Sequence, residues 1–152
     1  MNPLQTSRSY QISTVEEWDQ VVKDVMHKLY APMIIALSGP LGAGKTTFVQ
    51  QLAYAWGIKE RPRSPTFSLL RTYALPYVHG NIKRLVHIDA YRLEKRSDVY
   101  ALDLESELTE PGTILAIEWP EQIEEIIKEC QVPIVRMKMK IEGMEKRIIT
   151  IT

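Results

Sequence analysis

Residues 39 to 46 read Gly-Pro-Leu-Gly-Ala-Gly-Lys-Thr and fill every fixed position of the pattern G-x-x-x-x-G-K-[ST]. The flanks fit as well. Met33-Ile34-Ile35-Ala36-Leu37 is an apolar run with the look of a strand buried on both faces, and residues 46–56 have helical character, stopped by Gly57. Strand, glycine-rich turn and helix together are the local unit of an α/β fold, so this segment constrains the chain more than any other. Glycines let successive backbone N–H groups turn inward on phosphate oxygens where side chains would clash, and the helix start adds its positive end. Gly39, Pro40, Leu41, Gly42, Ala43, Gly44, Lys45, Thr46 and Thr47 are therefore read as a nucleotide-binding loop. Lys45 reaches for the terminal phosphates, and the Thr46 hydroxyl suits Mg²⁺. The loop specifies phosphate binding; it specifies neither hydrolysis nor the base.

The rest of the chain supports the same class. Thr14 with Glu17 three residues on fits a capping box, and Trp18, Val21, Val22, Val25, Met26 and Leu29 follow at helical spacing. Strand patterns recur at residues 66–73, 84–88 and 113–117, and helical ones at 97–108 and 121–129. Residues 134–140 and 146–151 alternate around Glu142-Gly143 as a β-hairpin. The expectation is one α/β domain over residues 1–152, a P-loop-like three-layer sandwich with a mostly parallel central sheet and a C-terminal hairpin.

Two carboxylates end short apolar strands: Asp89 follows Leu85-Val86-His87-Ile88, and Glu118 follows Ile114-Leu115-Ala116-Ile117. Ligands of open α/β sheets sit beyond the carboxyl ends of their strands, so both acids should face the phosphate loop. One would help hold Mg²⁺, directly or through water, and the other would orient the attacking water; the sequence leaves the division open. Ser64-Pro65-Thr66-Phe67 lies between loop and second acid, and Thr66 is the candidate γ-phosphate switch. Trp119 either stacks near the nucleotide or packs in the core. His87 is read as a hydrogen-bonded sheet residue, and Cys130 as structural. Three scattered histidines argue against a zinc site, and a single cysteine excludes an internal disulfide framework.

Nineteen Lys+Arg balance nineteen Asp+Glu, which argues against a global basic field for gripping nucleic acid. Lys59, Arg61 and Arg63, and the hairpin face of Arg136, Lys138 and Lys140, are read as solvated charge, with phosphates or an acidic partner as the alternative for either patch. The opening residues lack a signal-peptide pattern, and no apolar run is long enough to span a bilayer, so a cytoplasmic protein without membrane contact is expected.

The ordered set GPLGAGKTTF, SPTFSL, HIDAYRL and IEWPE resembles the TsaE family, the small ATPase of the bacterial machinery that makes threonylcarbamoyladenosine in tRNA. The resemblance implies that Lys45 and Thr46 hold phosphates and Mg²⁺, that Thr66 lies in a mobile switch, and that Asp89 is the Walker-B-like acid. It further implies that Glu118 helps bind Mg²⁺ and that Trp119 lies at the nucleotide pocket. Mg²⁺ as cofactor, ATP and ADP as substrate and product, TsaB and TsaD as partners, and at most indirect contact with tRNA follow from the same resemblance. Pro40 stands where the family usually has an acidic residue. Residues 72–83 look longer than the family pattern, as a flexible excursion near a partner surface would. Residues 104–107 follow the family's aromatic-bearing stretch only loosely.

A GTPase would need D-x-x-G where the chain has Asp89-Ala90-Tyr91-Arg92, and N-K-x-D, for which Asn81-Ile82-Lys83-Arg84 lacks the final acid. A small-molecule kinase, with Asp89 as base and Arg92 on phosphate, is the alternative within the P-loop class. A non-catalytic nucleotide sensor is the alternative outside enzymes.

Overall fold

A computed structural model describes residues 7–65, 69–93 and 96–152. Its elements in chain order are β1 (Arg8–Ile12), α1 (Trp18–Met26), β2 (Met33–Ser38), α2 (Lys45–Ala55), β3 (Leu70–His79), β4 (Ile82–Asp89), α3 (Arg96–Ala101), α4 (Leu104–Thr109), β5 (Thr113–Glu118), a 3₁₀ turn (Pro120–Ile123), α5 (Glu124–Glu129), β6 (Ile134–Glu142) and β7 (Lys146–Ile151). The seven strands form one sheet in the order β1-β7-β6-β2-β5-β4-β3. β6, β2, β5 and β4 run parallel, and the antiparallel strands close both edges.

Strands β2 and β5 are apolar nearly throughout because both their faces are covered. On one face Ile35, Leu37, Leu85 and Ile114 pack against Trp18, Val21 and Val25 of α1 and Phe48, Val49 and Leu52 of α2. On the other, Ile34, Val86, Ile88, Leu115 and Ile117 meet Leu104 and Leu108 of α4 and Ile127 of α5. This is the three-layer sandwich the sequence predicts, with a core on each side of the sheet.

Four local expectations change. Strand β1 has too little alternation to be read from sequence; it exists by pairing antiparallel with β7, Arg8 opposite Ile151 through Ile12 opposite Arg147. The helix expected over 97–108 divides into α3 and α4. Asp103 adopts φ 45°, and its carboxylate accepts from Ser106 N at 3.3 Å, so it caps a new helix instead of continuing the old one. The helix expected over 121–129 begins as the 3₁₀ turn behind Pro120. The excursion at 72–83 is a β-hairpin: β3 runs on to His79 and turns at Gly80-Asn81 into β4. Asn81 then fixes the hairpin to the start of β2, since its Oδ1 accepts from Ala31 N and its Nδ2 donates to Ala31 O, both at 2.8 Å.

Of the strand expected over 66–73, Thr66, Phe67 and Ser68 lie outside the described residues. Only the back-reaching half of the capping box forms: Glu17 accepts from the backbone N–H of Ser13 at 2.5 Å and Thr14 at 3.2 Å, with no return bond from the Thr14 hydroxyl.

Candidate functional site

The sheet register aligns the site. Leu37 stands opposite Glu118 across β2 and β5, and Asp89 stands opposite Glu118 across β5 and β4. One row across three parallel strands thus ends in two carboxylates, and the phosphate loop leaves β2 just beyond that row. β5 is inserted between β2 and β4, so Glu118, not Asp89, is the acid beside the loop.

The loop is packed closely against the rest of the protein. A Cβ on Gly39 would stand 2.6 Å from Met139 O, and one on Gly44 would stand 2.8 Å from Trp18 Cζ2; both glycines have positive φ. Inside the loop Ala43 N donates to Pro40 O at 3.1 Å. Lys45 is buried, and its ammonium donates to the carbonyls of Gly39 at 2.6 Å and Pro40 at 2.8 Å. The same nitrogen lies 4.2 Å from the centre of the Trp119 ring. Burial lowers the Lys45 pKa from its ordinary value, and the charges of Glu118, Glu121 and Asp89 oppose that shift.

Thr46, in the first turn of α2, directs its hydroxyl across the row of acids, donating to Glu118 Oε1 at 2.6 Å. The same oxygen lies 3.1 Å from His87 Nε2. Asp89 is held separately: Ser64 Oγ donates to Oδ2 at 2.5 Å, and Tyr91 N donates to Oδ1 at 3.0 Å. Trp119 follows Glu118 in the left-handed region, φ 58°, which turns its ring back under Lys45 and against Tyr91, ring centres 4.9 Å apart. Leu41, Gly42, Gly44, Lys45, Thr46, Thr47, Ser64, Asp89, Tyr91, Arg92, Glu118 and Trp119 line a single cleft of about 350 Å³. The sequence-predicted acids, lysine, threonines and tryptophan therefore converge. Pro40 and Ala43 serve within the loop, and Thr66 lies outside the described residues.

The donors at this cleft are a hydroxyl and two carboxylates, the hard oxygens that suit Mg²⁺. Among the described residues no group of three or more His, Cys, Asp or Glu gathers as a metal cage.

Three features escaped the sequence. Ser64 precedes the candidate switch Thr66 in sequence, and only the fold brings its hydroxyl to Asp89. His87 lies two residues before Asp89 on the same face of β4, and only the β4–β5 register brings it to Glu118. Across the loop lies a second cleft of about 190 Å³, lined by Ile12, Ser13, Thr14, Val15, Trp18, Glu145 and Arg147 and sharing Gly42, Gly44 and Thr47 with the first face. Arg147 Nε donates to Gly42 O at 3.1 Å. These residues come from the two ends of the chain, and no spacing in the sequence connects them.

Residues 12–149 match the family model described as threonylcarbamoyl adenosine biosynthesis protein TsaE. The tRNA threonylcarbamoyladenosine biosynthesis protein TsaE of Rickettsia bellii is 32% identical over 142 residues, covering 93% of this chain and 92% of that protein. The Bacillus subtilis protein of the same name is 34% identical over 119 residues, 78% of this chain and 68% of the relative. The crystal structure of Bacillus subtilis YdiB superposes with a TM-score of 0.63 at 28% identity, covering 96% of this chain and 84% of that one.

Proposed function

The chain belongs to the TsaE family of threonylcarbamoyladenosine biosynthesis proteins, and from that premise we propose that it is a Mg²⁺-dependent ATPase acting on a TsaB–TsaD complex. The observation that carries the reading is the convergence of Thr46 and Glu118, joined at 2.6 Å, with Asp89 in one cleft at the mouth of the phosphate loop. In this reading the loop N–H groups and Lys45 bind the phosphates, displacing the lysine from its resting bonds to Gly39 and Pro40. Thr46 and Glu118 hold Mg²⁺, with Asp89 near it through water. Bound there, Mg²⁺ neutralises charge on the phosphate oxygens.

Asp89, its two oxygens fixed by Ser64 and Tyr91 N, orients the attacking water. Thr66, two residues beyond Ser64, is the proposed γ-phosphate switch. The second cleft, with Ile12, Val15 and Trp18 beside Ser13 and Thr14, receives the base and ribose. The protein works in the cytoplasm as an accessory subunit and meets tRNA only through its partners. No helix among the described residues is long and apolar enough to cross a membrane.

Steady-state hydrolysis by the purified chain, alone and with TsaB–TsaD, tests the proposal. Partner-stimulated, Mg²⁺-dependent release of phosphate is expected. Nucleotide binding without stimulated turnover would favour a non-catalytic sensor, and transfer of phosphate to a small hydroxyl acceptor would favour a kinase.

A further inference from the structure

Among the described residues, the one buried polar side chain at this site that neither the loop nor the acids account for is His87. It is fully buried in β4, between Val86 and Ile88, which are fully buried too. Its neighbour across the sheet in β5 is Ala116, the smallest side chain of that strand, and the ring reaches diagonally to Glu118. Nε2 lies 3.1 Å from Glu118 Oε1, while Nδ1 is buried with no partner among the described residues. A carboxylate oxygen accepts, so Nε2 is the nitrogen that donates in this pair. Leaving a buried polar atom unpaired is unfavourable, and an apolar residue would fill this strand position without that penalty. The contact with Glu118 is what the imidazole supplies and Leu, Val or Ile would not.

We propose that His87 is a positioning residue for Glu118: its Nε2–H and the Thr46 hydroxyl together hold Oε1, which leaves Oε2 to face the cleft. Among the described residues no donor is placed on Oε2. Two donors on one oxygen fix the rotation of the carboxylate as well as its position, and they arrive from different elements, α2 and β4. Without His87 the carboxylate depends on Thr46 alone, whose hydroxyl is itself wanted by the metal. The proposal rests on the Mg²⁺ reading of Thr46 and Glu118, because it is that reading which gives Oε2 a task. Outer-shell partners of this kind typically change metal affinity by about 10- to 100-fold when removed.

The test is a Mn²⁺ titration, read by electron paramagnetic resonance, of the full chain with ADP. Wild type, His87→Leu, His87→Met and His87→Gln are compared, with metal-free ADP affinity and melting temperature measured for each. Leu and Met remove the donor while keeping apolar bulk, whereas Gln retains an N–H. The expected result is an affinity for Mn²⁺ about tenfold or more weaker in Leu and Met, with metal-free ADP binding unchanged, and recovery in Gln. Wild-type Mn²⁺ affinity in Leu or Met would overturn the proposal. So would an equal loss in all three variants accompanied by lowered melting temperatures, which is the mark of a packing role alone. If the wild type itself binds no Mn²⁺ with ADP, the metal reading of Thr46 and Glu118 fails first and takes this one with it.

Discussion

Thr46 Oγ1 donates to Glu118 Oε1 at 2.6 Å, joining the first turn of α2 to the last residue of β5. Seventy-two residues separate the two in sequence. The bond ties the phosphate loop to the row of acids and makes Glu118 the carboxylate closest in chemistry to the loop.

Glu118→Gln should keep the fold and lose Mg²⁺-dependent turnover. The amide oxygen can still accept from Thr46 and His87, so thermal stability should change by less than about 1 kcal/mol. The lost negative charge removes a ligand that Mg²⁺ prefers. Undiminished ATP hydrolysis in a steady-state assay would remove Glu118 from the site.

Lys45→Ala should weaken nucleotide binding in calorimetry by about 10- to 100-fold. A charge-assisted hydrogen bond to phosphate contributes about 1.5–3 kcal/mol, and Lys45 is the buried cation at the mouth of the loop. Tight ATP binding by this variant would contradict the role given to the loop.

The loop glycines should not be equivalent. Gly44→Ala would set a Cβ against the rigid Trp18 ring at 2.8 Å with φ at +109°, a clash added to backbone strain. Gly42→Ala meets nothing within 4 Å and bears only the strain of φ +79°. Chemical denaturation should show a loss of about 1–2 kcal/mol for Gly42→Ala and a clearly larger one for Gly44→Ala. Equal losses would mean that Trp18 yields.

Strand β1 should be held to α1 by an acid-sensitive tie. The Tyr10 hydroxyl donates to Asp24 Oδ2, and Arg8 donates to the same oxygen at 2.9 Å. The Tyr10 bond is the main cause lowering the Asp24 pKa below its ordinary value of 3.8, with Gln20 and Arg8 adding to it against burial. A depressed carboxylate gives stability that is present above the unfolded pKa and lost as pH falls through the folded one. Denaturation of the wild type between about pH 5 and pH 2 should therefore show a falling limb that is shallower in Asp24→Asn. Parallel limbs for the two proteins would place the acid sensitivity elsewhere.

Gln50 should position the segment that delivers Ser64. It lies one turn beyond Thr46 on α2, its Nε2 donates to Pro62 O at 2.8 Å, and its Oε1 accepts from Arg61 at 3.2 Å. Gln50→Ala should lower turnover more than ATP affinity, because Ser64 holds Asp89 while the proposed function gives phosphate binding to the loop. A change in affinity alone would assign Gln50 to the loop.

How much of this was legible in the sequence follows from the range of the forces involved. The phosphate loop, the apolar strands β2 and β5, and the amphipathic α1 are set by residues within a few positions of one another, so pattern and spacing sufficed for them. Asp89 and Glu118 were legible for the same reason, as acids ending apolar runs. Strand order was not, because the insertion of β5 between β2 and β4 depends on pairing between segments far apart in the chain. That insertion alone decided which acid meets Thr46 and brought His87 to Glu118. The pairing of β1 with β7 likewise decided that the two chain ends line a cleft beside the loop. Local chemistry chose the site residues; the register of a seven-stranded sheet, where a single residue's slip would turn every side chain to the other face, decided which of them touch.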